Sequence, residues 1–163
     1  MTELSIKAFD ALARATFAAA LEPHGFTAAG SRRCTLHRKI SNNVYHFVVA
    51  DRSLRLLQYT VHIFPHSPLL DADFHSKFPD NLGFTTDVDG YLSEKGVGMR
   101  QRWYWCKNGE SFERNFQTIV RPALLEHAIP FLDSLPDLAS FARVVRRGYF
   151  AERLKELGWN IRE

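Results

Sequence analysis

Between Arg33 and Ile63 three segments of β character follow one another with only short turns between them, and this run constrains the fold more than any other feature. Arg33 to Ile40 alternates, with Cys34, Leu36 and Ile40 on one side and Thr35, His37 and Lys39 on the other. Ser41-Asn42-Asn43 suits a tight turn, because Asn tolerates positive φ. Val44 to Ala50 is β-branched and aromatic and reads as a more fully buried strand. Asp51-Arg52-Ser53 makes the next turn. Leu57, Tyr59, Val61 and Ile63 then face one way, with Gln58, Thr60 and His62 opposite. Successive short strands with brief turns predict an antiparallel meander.

Helices flank this block. Ser5 is placed to cap a first helix in which Ile6, Phe9, Ala13, Phe17 and Ala20 recur at helical spacing, and Gly25 fits the left-handed position after its end. Pro65 and Pro68 are expected to end the third strand. The stretch to Gly98 reads as irregular and acidic, with a short helix at Asp71 to Lys77. Met99 to Cys106 reads as a further strand. Its alternation places Met99, Gln101, Trp103 and Trp105 on one face, packed beneath the helices, and Arg100, Arg102, Tyr104 and Cys106 on the other. Ser111 then caps a helix carrying Phe112, Phe116, Ile119, Val120, Leu124 and Leu125, stepped at Pro122, and Pro130 and Pro136 divide the turns that follow. Two short helices, one with Leu138 and Phe141 and one with Leu154 closed by Gly158, end the chain. The expected fold is α+β: an N-terminal helix, an antiparallel β-meander sheet, and C-terminal helices on one sheet face, in a single domain over residues 1–163.

Composition excludes several classes. Aromatics make up 13% of the chain, far too many for a disordered segment. With 9 Gly and no repeating period, collagen and low-complexity polymers are excluded too. No run approaches the roughly 18 apolar residues of a membrane span, and Asp10 and Arg14 interrupt the Ala-rich start, so no signal peptide is read and a cytoplasmic address is expected. Cys34 and Cys106 are then expected as buried thiols. The net charge is +3, unevenly spread. Asp71 to Lys95 holds six acids and two bases, so it is acidic by four charges, while Arg143 to Glu163 holds six bases and three acids.

The step Leu21-Glu22-Pro23-His24-Gly25-Phe26 followed by a β-meander, with the turn Ala50-Asp51-Arg52-Ser53 and aromatic-rich closing helices, resembles a bacterial family known as domain of unknown function 4304. The resemblance covers roughly residues 9–143. It implies the same helix–meander–helix arrangement and brings no catalytic residue with it.

Catalytic and metal motifs are weak. His62, His66, Asp71, Asp73 and His75 cluster in sequence, but His62 and His66 flank Pro65 and are not expected to converge, so no metal is assigned. The run Thr85 to Gly90 places Asp87, Asp89 and Gly90 at calcium-loop positions but has Gly96 where the bidentate Glu belongs. Gly96-Val97-Gly98 lacks the third Gly and the strand–helix context of a dinucleotide loop. No cofactor is expected, and the balance leans away from an enzyme, although a site assembled from distant residues stays open.

The working surface expected from this reading is the polar sheet face: His37, Gln58, His62, Arg100, Arg102 and Tyr104, joined by Thr35, Lys39 and Thr60. Tyr and Arg anchor protein interfaces. The same residue types bind single-stranded nucleic acid by phosphate pairing and base stacking. The preferred expectation is a protein-binding module of immunity or regulatory type, with Asp87 and Asp89 offering an acidic contact. Nucleic-acid binding is the alternative, and no membrane partner is expected.

Overall fold

The computed structural model describes residues 2–30, 33–71, 73–74, 103–144 and 149–161. Helix α1 (Ile6–Leu21) starts where Ser5 Oγ accepts the amide of Ala8 at 3.1 Å, and it buries Phe9, Ala13, Phe17 and Leu21, one side chain every four residues. Gly25 ends the step that follows at φ 85°, which lets Phe26 donate back to the Leu21 carbonyl and turn its ring inward.

Five strands form one antiparallel sheet in chain order: β1 (Thr27–Ala29), β2 (Cys34–Ser41), β3 (Val44–Arg52), β4 (Gln58–His66) and β5 (Tyr104–Trp105). The α+β meander is therefore as read from the residues, with β1 added. The third strand does not stop at Pro65: β4 continues to His66, and Pro65 pairs with His46. A proline is tolerated there because β5 reaches only Gln58 and Tyr59, so no described ladder on that edge needs the missing N–H.

The long helix α2 (residues 109–133) also runs through its prolines, where breaks were expected. It is capped by Asn108, whose side chain accepts the Ser111 amide while Ser111 Oγ accepts the Asn108 amide. Its buried row is Phe112, Phe116, Val120, Leu124, Ala128 and Leu132, a spacing of four. In a regular helix such a row drifts about 40° per step, roughly 200° over its length. Two π-helical turns, Phe116–Val120 and Leu124–Ala128, each take up one extra residue and return about 100°. They lie just before Pro122 and Pro130, with Arg121 N–H donating to the Phe116 carbonyl and Ile129 N–H to the Leu124 carbonyl. The wide turns thus admit the prolines and keep the row on the sheet.

α1 and α2 cover one face of the sheet, the helix face, where Cys34, Leu36, Val48, Ala50, Tyr59, Val61 and Ile63 meet them. Phe9 lies 5.2 Å from Tyr59 and 5.6 Å from Phe112, and Phe17 lies 4.9 Å from Phe116 (ring centroids). A smaller core joins Val44, Leu70 and Leu135 to α3 (Leu138–Val144) and α4 (Tyr149–Glu156) through Phe141, Ala142, Ala151 and Leu154. Among the described residues no helix is long and apolar enough to cross a membrane.

The opposite face departs from expectation. It is expected as a polar working surface, yet Thr35, Phe47, Val49, Thr60, Phe64 and His66 are all buried there. Phe74 packs on it, 4.9 Å from Tyr45 and 5.1 Å from His66. Antiparallel sheets often leave one face wet. Here β3 supplies Phe47 and Val49 to the second face, and those side chains need cover.

Candidate functional site

The register decides which expected residues meet. His37, Gln58 and His62 share the far face and are half-buried, as expected of their alternation. Burial holds the His37 imidazole below its ordinary value, which favours its neutral form. Tyr104 is turned the other way. It pairs with Tyr59, its ring lies 5.5 Å from that ring, and it is 1% exposed. No base can stack on it. Arg100, Arg102, Asp87 and Asp89 lie outside the described residues, as does His75.

The phase error at β5 has a simple cause. Tyr59 faces the helices, so its partner Tyr104 must as well, and Trp103 and Trp105 then leave the core. The run Trp103-Tyr104-Trp105-Cys106 is apolar in both phases, so its alternation carries no information about which side is buried.

His62 and His66 do share a face, four residues apart on β4, which corrects the reading that Pro65 separates them. His66 is wholly buried between Phe47, Phe64 and Phe74, with Nε2 3.3 Å from Asp71 Oδ2. Among the described residues no group of His, Cys, Asp and Glu is arranged to hold a metal ion. The cysteines are not activated either: burial pushes the Cys34 thiol up to about 12 and raises that of Cys106. A thiol held protonated is a poor nucleophile.

A second histidine was missed altogether. His46 is buried on the helix face with its Nε2 2.7 Å from the Leu135 carbonyl and its Nδ1 accepting from Arg38 Nε at 3.2 Å. These partners require a neutral ring protonated at Nε2. Burial, opposed in part by the Leu135 carbonyl, takes it down to about 4. Arg38 also pairs with Asp133 at 2.6 Å, donates to the His24 carbonyl, and lies over the Phe26 ring. The group ties β2 and β3 to the ends of α1 and α2, which is a structural task.

Among the described residues the three most exposed large apolar side chains, Leu54, Trp105 and Leu56, lie at the β3–β4 turn and β5. Leu54 is 84% exposed, Leu56 57%, Trp105 60% and Trp103 42%. Gln58 sits directly beside Trp105 in the ladder. The turn is held firmly. Ser53 Oγ accepts the amides of Arg55 and Leu56, Ser53 N–H donates to the Gln58 carbonyl, and Arg52 donates to the carbonyls of Ser53, Leu56 and Leu4. β5 is anchored too: Cys106 N–H donates to the Leu57 carbonyl, and Asn115 Nδ2 to the Trp105 carbonyl at 2.7 Å. The apolar side chains are therefore presented on ordered backbone. The two tryptophans were visible in the sequence but assigned to the core, and Leu54 and Leu56 carried no signal there beyond being apolar residues in a turn.

No family model matches the chain, and neither the curated proteins nor the solved structures contain a match to it.

Proposed function

We propose that this chain is a non-catalytic binding module that docks a partner protein through Leu54, Leu56 and Trp105. The observation that carries the reading is large apolar side chains exposed on a hydrogen-bonded turn. Burying each contributes roughly 1.5–3 kcal/mol, and Trp is among the commonest interface anchors. The ordered backbone reduces the conformational entropy lost on binding. The patch needs no titratable group, in keeping with thiols that burial keeps protonated. Free, buried Cys34 and Cys106 suit a reducing compartment, in keeping with the cytoplasmic address proposed here for a regulatory or immunity-type protein of a bacterium. Kinship with the domain of unknown function 4304 family is part of this proposal and rests on the sequence step Leu21-Glu22-Pro23-His24-Gly25-Phe26 and the meander that follows it.

The test is affinity capture from nuclease-treated host lysate, comparing the wild-type chain with Trp105→Ala and Leu54→Ser. A stoichiometric protein retained at high salt by the wild type and lost by both variants is the expected result. Equal capture by all three would refute the assignment of the surface. Binding abolished by nuclease or by moderate salt would point to nucleic acid instead.

A further inference from the structure

We infer that the segment before α1, residues 2–5, is a clasp whose seating sets the order of the patch formed by Leu54, Leu56 and Trp105. Its consequence for docking rests on the binding-module reading above. Leu4 donates its N–H to the Lys107 carbonyl at 3.0 Å, and its own carbonyl accepts Arg52 Nη2 at 3.1 Å. The backbone of one residue therefore joins the residues just after β5 to the β3–β4 turn, the two elements that present the patch. Arg52 carries the link onward, because its Nη1 donates to the carbonyls of Ser53 and Leu56, on either side of Leu54 and Arg55. Cys106 N–H closes the circuit by donating to the Leu57 carbonyl at 2.9 Å.

The clasp is built to open without unfolding the molecule. Thr2, Glu3 and Ser5 are exposed, and Leu4 alone among residues 2–5 packs half-buried against the main core. A segment held by so little buried apolar surface opens locally, well below the cost of global unfolding. Opening acts directly on Arg52. Its bonds run to carbonyls, it makes no ion pair among the described residues, and its Nε is already buried without an acceptor. Losing the Leu4 carbonyl takes a further acceptor from a charged donor, which is costly to leave unmatched. The guanidinium then turns toward water, lets go of the Ser53 and Leu56 carbonyls, and the turn loosens. A partner that binds the ordered patch alone holds the segment seated, and displacing the segment weakens binding at the patch by the same factor.

The experiment is amide hydrogen exchange and Trp105 fluorescence anisotropy on the intact chain carrying Leu4→Gly, and on Leu4→Pro, which deletes the donor to Lys107. Trp103 and Trp159 are replaced by Phe in the fluorescence samples, so that Trp105 reports alone. Exchange at the Leu56 and Cys106 amides should rise roughly fivefold to tenfold, with lower Trp105 anisotropy and no change at Ala13 in α1 or Val48 in β3. Leu4→Met keeps the backbone bonds and the apolar side chain and should behave as the wild type. Arg52→Met should speed exchange at the Leu4 amide, although that amide bonds Lys107 and not Arg52. Exchange unchanged at Leu56 and Cys106, or raised equally throughout, would overturn the clasp and leave the docking reading standing. Where the patch does loosen, Leu4→Gly should retain several-fold less of the partner captured by the wild type; equal capture would overturn the link to docking. A wild type that captures no partner would count against the docking reading, and the exchange result would still decide the clasp.

Discussion

The two faces of this sheet are buried by different means. The helix face meets two amphipathic helices, each with an apolar row every four residues, and its contacts are spread over Phe9, Phe17, Phe112, Phe116 and their neighbours. The far face has a mixed population: Phe47 and Phe64 stack at 5.2 Å, and Thr35, Thr60 and His66 are buried among them. Phe74, placed after the strands, closes over Tyr45, Phe47 and His66. One face thus follows from periodicity in the helices that cover it. The other depends on single side chains brought in from beyond the meander.

Cutting one ring from each face tests this difference most strongly. Phe9→Ala removes contacts to Tyr59 and Phe112 and is expected to cost about 3–5 kcal/mol in denaturant unfolding. Phe74→Ala should cost about 3 kcal/mol and loosen the far face alone, seen as faster amide exchange in β4 near His66 than in α1. Equal exchange in both regions would mean the faces are not separable.

His46 sharpens the comparison through pH. Its folded value is lowered to about 4 against an ordinary 6.5, so the unfolded chain binds this proton first as pH falls. Its contribution is complete above about 6.5, is lost progressively from there to about 4, and is constant below. The loss should amount to roughly 3 kcal/mol. His46→Gln is expected to flatten stability over that window relative to the wild type. An unchanged difference between the two proteins from pH 7 to pH 4 would refute the neutral, doubly bonded ring.

The smallest effect is expected outside both faces. Leu54→Ser and Trp105→Ala should change stability by less than about 0.5 kcal/mol, because exposed side chains away from caps and cores contribute little to folding. Thermal midpoints would check this. A large loss would make the patch part of the fold and no longer a free docking surface.

Much of this arrangement follows from local chemistry. Helix α1, the left-handed glycines Gly25 and Gly158, and the alternation of β2 and β4 were legible because each rests on a period, a cap or a turn within a few residues. Gln58, His37 and His62 reached the same face for that reason. What lay beyond the sequence depended on partners distant along the chain. Trp103-Tyr104-Trp105-Cys106 had no phase until Tyr59 imposed one through the ladder. Pro65 could stay in a strand only because no described neighbour required its N–H, and Pro122 and Pro130 could stay in a helix because π turns before them gave room. His46 became a neutral strut only when Arg38 and Leu135, on separate elements, reached its two nitrogens. Residue spacing settles which side chains point together; which direction is inside depends on what packs against them, and that is decided by contacts between elements.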